Sequence, residues 1–344
     1  MQGGTRREKT RSPAAGGPPL RNSDLLPPLS KPPVRSSTSQ PDASTHWGTA
    51  QLWHWQGLQC HWQVLGDAEA PAVVLLHGFG TGSGHWRQTA APLAAAGWRV
   101  YGLDLIGFGA SSQPGLRRGR ALDNRLWARQ VQAFAAQVVQ RPVVLVGHSL
   151  GGLVALSCGV FAPRWVRAVV AAPLADPSLL RAPRRPGRRA PWLRRLWRTV
   201  VRLLCRLLPL ELIVPLLARS PLLELGIQLA YSSPVLGDRQ LRRLIARPAL
   251  RPTAVRSLRA MSTAMALRPW RATARALLPR LQQPLLLIWG AADRLVPLEV
   301  SGQCQALQPR AELAVLPRCG HCPHDEAADP FNRLLLRWLT RTFG

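Results

Sequence analysis

Apolar positions along this chain fall into short runs rather than long ones. Residues 73–76, 99–103, 143–146, 166–171, 285–290 and 313–316 each gather Val, Leu, Ile, Ala or aromatic side chains between polar or glycine-bearing stretches. Short apolar runs bounded in this way read as strands covered on both faces. Segments 86–96, 124–139 and 150–161 carry helical spacing instead, and each supplies the crossover that a parallel strand pair requires. Ahead of them, Leu52-Trp53-His54-Trp55 and Gln59-Cys60-His61-Trp62-Gln63-Val64 alternate on either side of Gly57-Leu58, the signature of an antiparallel hairpin opening the sheet. The expectation is an α/β protein, a mostly parallel sheet flanked by helices. After Asp176 the strand pattern lapses until Leu285, and the residues between are helical in spacing. Four regions follow: a tail at 1–45, core at 46–175, an inserted helical cap at 176–278, and core again at 279–344.

The run at 143–146 ends in Gly147-His148-Ser149-Leu150-Gly151 and passes directly into Leu153-Val154-Ala155-Leu156. A strand that turns through Gly-x-Ser-x-Gly into a helix is a nucleophile elbow, which holds the serine hydroxyl at the carboxyl end of a sheet. A serine is a weak nucleophile at its own pKa and needs a base and an orienting acid. Asp293 follows the run at 285–290, and His321 follows the run at 313–316 within Cys319-Gly320-His321. The chain order Ser, Asp, His is the one that accompanies this elbow. Ser149, Asp293 and His321 are therefore the candidate catalytic residues. The run at 73–76 leads into His77-Gly78-Phe79-Gly80, where close backbone approach is permitted. The N–H groups of Phe79 and Leu150 are the candidate oxyanion donors. His77 and Trp86 are expected to support that loop, His148 to pack beneath or line the pocket, and Asp104 to anchor the loop after its strand. Asp176 is the rival for the acid. His324, Asp325 and Glu326 are expected to cap the final helix.

These segments, together with Leu103-Asp104-Leu105-Ile106-Gly107-Phe108-Gly109, resemble the α/β-hydrolase superfamily from about Leu52 to the end of the chain. The resemblance implies an eight-stranded-type sheet, a cap over the active site, and hydrolysis without a cofactor. Gly320-His321-Cys322-Pro323-His324-Asp325-Glu326 and Asn332 further resemble a cyanobacterial and plastid branch that includes the pheophytinases. Ser149 stands where the haloalkane dehalogenase and epoxide hydrolase branches carry Asp.

Charge alters the picture mainly in the cap. The chain has 45 Lys and Arg against 17 Asp and Glu, a net +28. Between Pro177 and Arg275 there are 21 Arg and three acids. Base composition of the coding sequence can favour Arg over Lys, so the pattern counts for more than the total. In Trp192 to Arg206, Arg194, Arg198, Arg202 and Arg206 recur at every fourth position among Trp, Leu and Val. That is a basic amphipathic helix. It fits a cap helix with a solvated basic face, or a surface that docks on anionic lipid. Nucleic acid is not expected, because no reader fold accompanies the charge.

The stretch from Val200 to Leu217 contains Arg202, Arg206, Glu211 and two prolines, which makes it a poor membrane span. The Pro-, Ser- and Arg-rich tail has no apolar h-region and is expected to be disordered rather than a secretory signal. Six cysteines do not form a disulfide framework. Cys319, His321, Cys322 and His324 lack the second ligand pair of a zinc site, so no metal and no cofactor are expected. Oxidation of Cys319 or Cys322 could disturb the His321 loop. The expected protein is a cytoplasmic serine esterase acting on a lipophilic ester through an acyl-enzyme, with possible peripheral contact with an anionic membrane. The alternatives are a C–C bond hydrolase or a catalytically silent, membrane-docking binding protein on the same fold.

Overall fold

The computed structural model describes residues 46–115, 121–180 and 191–344, in side-chain detail for all but 191, 193–195 and 206. The tail expected to be disordered lies outside them. β1 (Thr49–Trp55) and β2 (Leu58–Leu65) form the hairpin. Gln56 and Gly57 at its tip both have positive φ, 50° and 71°, which is the backbone of a type I′ turn. There follow β3 (Ala72–Leu76), α1 (Ala90–Ala95), β4 (Arg99–Leu103), α2 (Asn124–Phe134), β5 (Val143–Ser149), α3 (Leu150–Phe161) and β6 (Val166–Leu174). The insertion contributes α4 (Pro191–Leu207), α5 (Leu210–Arg219), α6 (Leu222–Gln228), α7 (Arg239–Ala249) and α8 (Ala254–Leu267). The chain then closes with α9 (Ala274–Leu277), β7 (Leu285–Gly290), α10 (Glu299–Leu307), β8 (Glu312–Leu316), α11 (Pro323–Glu326) and α12 (Ala328–Phe343).

One eight-stranded sheet runs β1-β2-β4-β3-β5-β6-β7-β8. Its first two pairings are antiparallel and the rest parallel. Alternate residues of the central strands face opposite sides, as strand geometry demands. Val74, Leu76 and Leu145 pack with Trp127 and Leu153 on one face. Val73, Leu75, Val144 and Val146 pack with Leu93, Phe331 and Leu335 on the other. Burial of each such side chain contributes about 1.5–3 kcal/mol. Parallel order puts the carboxyl ends of β3, β5, β6, β7 and β8 along one rim, so residues following those strands meet there.

Three elements depart from the sequence reading. The helix expected over 86–96 is a 3-10 turn, Ser83–Trp86, followed by a break before α1. Pro92 has no N–H to donate to the Gln88 carbonyl, and Asn332 Nδ2 donates to that carbonyl instead at 2.8 Å. The segment expected to be helical through 139 ends as α-helix at Phe134 and continues as a π turn, Ala135–Val139. Asp325 and Glu326 do not cap the last helix: α11 is a single turn, Ala327 (φ −122°, ψ 49°) separates it from α12, and no side chain caps α12. Both acids turn to other partners, described below.

In the insertion, α4 and α5 rest on α8, and α7 rests on the 3-10 turn Ser83–Trp86. The reading in which α4 lays its apolar side on the core is not met. Val201 is buried, whereas Trp192, Leu196, Trp197, Val200, Leu203 and Leu204 are exposed. Arg198 and Arg202 are exposed as well. The side chains of Arg194 and Arg206 lie outside the described detail.

Candidate active site

Ser149 ends β5 with φ 53° and ψ −112°, a conformation that costs a non-glycine residue about 1–3 kcal/mol. The neighbouring glycines make the bend possible. A Cβ on Gly147 would run into the Gly151 carbonyl, and one on Gly151 into the carbonyl of Leu76. Side chains at either position would push β5, α3 and β3 apart. Asp293 lies in the turn after β7, and His321 in the loop after β8.

The three side chains that the sequence singles out come together. His321 Nε2 is 3.0 Å from Ser149 Oγ, and His321 Nδ1 is 2.8 Å from Asp293 Oδ2. With the ring proton on Nδ1, the imidazole donates to Asp293 and Nε2 accepts from the serine hydroxyl. Asp293 is fixed in turn, since its Oδ1 accepts from the N–H groups of Leu295 and Val296 at 2.8 and 2.9 Å. Aspartate and imidazole are both buried, whereas Ser149 is half-buried and open to a ligand. Such a chain can take a proton from a hydroxyl as it attacks and return it to a leaving group. Asp176, the rival acid, is committed elsewhere. It pairs with Arg268 at 2.7 Å and accepts from Ala274 N at 3.0 Å.

Leu150 is the first residue of α3, next to Ser149. Phe79 lies in the loop after β3, with its ring exposed and edge-on to Phe108 at 5.6 Å between centroids. That loop crosses close to the elbow: a Cβ on Gly78 would stand 3.5 Å from Ser149 Cβ and 2.5 Å from His148 Nδ1. His77 supports it, accepting from Leu105 N–H at 3.0 Å and donating to the Gly78 carbonyl at 2.8 Å. Asp104 anchors the following loop, accepting from Ser83 N at 2.6 Å, Ala110 N at 2.8 Å and His61 Nδ1 at 2.9 Å. Burial opposes its charge, yet His61 and these donors hold its carboxyl well below the usual range.

Behind His321 stand His148, His85 and His324, all buried. Burial lowers each imidazole's pKa, that of His85 to about 4 and those of the other two well below 6.5. The rings are therefore neutral near pH 7, and their hydrogen bonds gain a direction. His148 Nε2–H donates to the His321 carbonyl at 3.0 Å. His324 Nε2–H donates to His85 Nδ1 at 3.3 Å, His85 Nε2–H to the Tyr231 hydroxyl at 2.9 Å, and Tyr231 to Asp325 Oδ2 at 2.9 Å. Neutral imidazoles are competent metal donors, and ring nitrogens of this trio lie within 4.8 Å of one another. Among the described residues no carboxylate or thiol joins them as a fourth ligand. Cys319 and Cys322 are free and buried, and burial pushes the Cys319 thiol up to about 12 and the Cys322 thiol well above its ordinary value. Thiols held protonated in this way react slowly with oxidants, which works against the expected redox sensitivity.

Several residues that hold the site carry no motif. Arg87 bridges Asp325, at 2.8 and 3.0 Å, to Asp238 at the start of α7, at 2.7 and 3.3 Å. Glu326 accepts from the N–H groups of Gly320, Ser232 and Ser233 at 2.7, 2.8 and 2.6 Å. The backbone N–H of His321 itself donates to the Ala230 carbonyl at 2.8 Å. The available signal was the scarcity of acids, which makes two adjacent ones beside Gly320-His321 worth a partner search.

A cavity of about 290 Å³ adjoins the loop after β3. Phe79, Gly80, Phe108, Val214, Leu217, Leu258 and Met261 line it, with Gln113 as its polar side chain. A larger one of about 420 Å³ is lined by Asp104, Arg243, Arg247 and Arg251 among others. None of the three catalytic candidates lines either cavity; the smaller one is the one that reaches Phe79.

The sequence pattern of the alpha/beta hydrolase family matches residues 73–334. The chain belongs to that family. Among its relatives is the 2-hydroxy-6-oxo-6-phenylhexa-2,4-dienoate hydrolase of Burkholderia cepacia, 30% identical over 285 residues, covering 80% of this chain and 90% of that protein. The 2-hydroxy-6-oxononadienedioate/2-hydroxy-6-oxononatrienedioate hydrolase of Comamonas testosteroni is 29% identical over 285 residues, with the same coverage. An alpha/beta hydrolase fold protein from Burkholderia ambifaria superposes with a TM-score of 0.63 at 22% identity, over 83% of this chain and 97% of that one. It shares the fold. This alpha/beta hydrolase is thus a hydrolase, and the bond it cleaves is a separate question.

Proposed function

We propose that this hydrolase cleaves carboxylic esters with a bulky apolar group through an acyl-enzyme on Ser149. The observation that carries the reading is the continuous chain from Ser149 Oγ through His321 to Asp293, at 3.0 and 2.8 Å. His321 Nε2 takes the serine proton as Oγ adds to the ester carbonyl. The resulting oxyanion is met by the N–H groups of Leu150 and Phe79. Collapse expels the alcohol, which receives the proton from His321, and leaves the acyl group on Ser149. Water then attacks with its proton passing to Nε2, and the acid departs as the serine is reprotonated. Asp293 holds the imidazole tautomer and stabilises the imidazolium. The apolar cavity beside Phe79 takes the hydrophobic part of the substrate.

The relatives from Burkholderia cepacia and Comamonas testosteroni favour a second reading, C–C bond hydrolysis. Their named substrates are carboxylates. The cavity beside Phe79 is lined by one polar side chain, Gln113, and no cationic one. Burying an unpaired carboxylate costs several kcal/mol, and that favours the ester. The test is a panel of p-nitrophenyl esters of rising acyl length set against a 2-hydroxy-6-oxo-dienoate. Esters should be turned over by the wild type and not by Ser149→Ala, with kcat/KM for the dienoate at least ~100-fold lower, as a loss of ~3 kcal/mol implies. Cleavage of the dienoate alone would assign the second reading. A folded protein whose Ser149 ignores a fluorophosphonate probe would be a silent scaffold.

A further inference from the structure

The insertion presents an apolar surface outward. Leu196, Trp197, Leu204 and Leu207 of α4 and Leu212 and Leu216 of α5 are 52 to 74% exposed. Monomeric soluble proteins seldom leave so many large apolar side chains together in water. The two helices follow one another in the chain, and both rest on α8. Arg259 secures their junction by donating to the Leu208 carbonyl and to Glu211 at 2.8 and 2.7 Å. Among the described side chains of α4, Val201 is the buried one, and Leu196, Trp197, Leu203 and Leu204 stay open. By helical spacing, Arg198 and Arg202 lie on the opposite side from Leu196 and Leu207.

We infer that α4 and α5 form an interfacial surface that seats the enzyme on an anionic lipid bilayer. A helix lying in the headgroup plane puts leucines toward the acyl chains and tryptophans at the boundary. Its arginines stay among the phosphates. All three placements occur here, in a region with 21 Arg against three acids. The charge also selects among occupants. A second copy would set two strongly cationic surfaces against each other. Nucleic acid would draw arginines outward and has no use for a leucine face. Anionic lipid satisfies both the charge and the apolar area.

The surface also suits the proposed chemistry, on which this part of the inference rests. α5 carries Leu212 and Leu216 outward and lends Val214 and Leu217 to the cavity beside Phe79. An apolar ester leaving the bilayer at α5 reaches that cavity across one helix, about 10 Å, without crossing open water.

The experiment is vesicle flotation of the full chain carrying Ser149→Ala, so that binding is read apart from activity. The vesicles are phosphatidylcholine alone or phosphatidylcholine with about one quarter phosphatidylglycerol. The mixed vesicles should bind at least ~10-fold more tightly than the neutral ones, and the difference should shrink in high salt, which screens surface charge. Leu204→Ser/Leu207→Ser/Leu212→Ser should lose binding ~10-fold or more. In the background with Ser149 intact, the same triple variant should turn over a soluble short-chain ester at the wild-type rate, showing that it is folded. Arg198→Glu/Arg202→Glu should weaken binding to the mixed vesicles alone. Absence of binding to the mixed vesicles at low salt overturns the inference, and so does wild-type affinity in the triple variant. A dimer in sedimentation that the triple variant converts to monomer, with vesicles unbound, would assign the surface to a second copy. Failure on vesicles with ester turnover intact leaves the ester reading standing, and the reverse result separates the two equally well.

Discussion

Asp293 offers the sharpest test at the level of single residues. Replacing it with Asn keeps the hydrogen bonds from Leu295 and Val296 but lets the side chain donate to His321, favouring the wrong imidazole tautomer. Asp293→Asn should lower kcat by roughly 10³–10⁴-fold while the fold melts as before; an unchanged kcat would remove Asp293 from the mechanism. His148 acts one step further back, through the His321 carbonyl. His148→Phe leaves that carbonyl without a donor in a dry site, which costs about 1–3 kcal/mol. Stability should drop by that amount and kcat should fall more than KM rises, with His148→Gln recovering part of the loss. Equal effects of Phe and Gln would mean that ring packing, not the hydrogen bond, is what counts. Ser149, Asp293 and His321 could be read from sequence because each follows a recognisable apolar run and sits next to glycine or in a tight turn. Arg87, Tyr231 and Glu326 could not, since each takes partners between about 90 and 240 residues away, Glu326 in addition to the nearby Gly320 N–H. No local spacing encodes a partner at that range.

Among elements, the β5–α3 elbow has little tolerance. Gly151→Ala would drive a methyl group into the Leu76 carbonyl, and should destabilise the protein by about 3 kcal/mol or more. A thermal midpoint within 1–2 °C of wild type would contradict this, because a loss that size shifts the midpoint by several degrees. A second tie joins β6 to the end of the insertion, where Asp176 pairs with Arg268 and both are buried. Arg268→Met should cost about 3–5 kcal/mol by stranding a buried carboxylate, and the double change Arg268→Met/Asp176→Leu should recover much of it. If it recovers nothing, Asp176 matters through Ala274 N–H and not through the ion pair. Strands were legible because burial on both faces leaves an unbroken apolar run. The 86–96 segment departs from one continuous helix because Pro92, within α1, has no N–H to carry the helix back to the Gln88 carbonyl. What resolves it is Asn332, which takes the Gln88 carbonyl and belongs to a helix at the other end of the chain.

For the molecule as a whole, the buried imidazoles set the response to acid. Burial lowers the pKa of His85 to about 4 and holds His148 and His324 well below 6.5, amid Arg87, His77, His321 and Asp325. The unfolded chain takes up protons near pH 6.5 that the folded chain refuses. Stability supplied by these groups is therefore complete above that pH and falls as pH drops toward 4, by up to about 1.4 kcal/mol per pH unit for each imidazole. The urea midpoint should fall steadily from pH 7 to pH 5, and His324→Phe should flatten the slope; a level wild-type midpoint across that range would contradict it. The depressed carboxyl of Asp104 contributes stability that disappears only below about pH 4, while its partner His61, whose pKa Asp104 raises against the effect of burial, works against the fall and offsets part of it. The links between the insertion and the His321 loop have a consequence for how such an enzyme could be reshaped. Ala230, Tyr231, Ser232, Ser233 and Asp238 hold His321, Asp325, Glu326 and Arg87, so pruning the whole insertion to reach a minimal catalyst would also cut loose the base. Residues 191–219 lie upstream of every one of these links, and also of Ile227 and Gln228, which pack on and hydrogen-bond to Tyr231, so they are the part open to exchange. A chimera that grafts a foreign segment there would acquire new substrate preferences while the proton-transfer machinery stayed anchored.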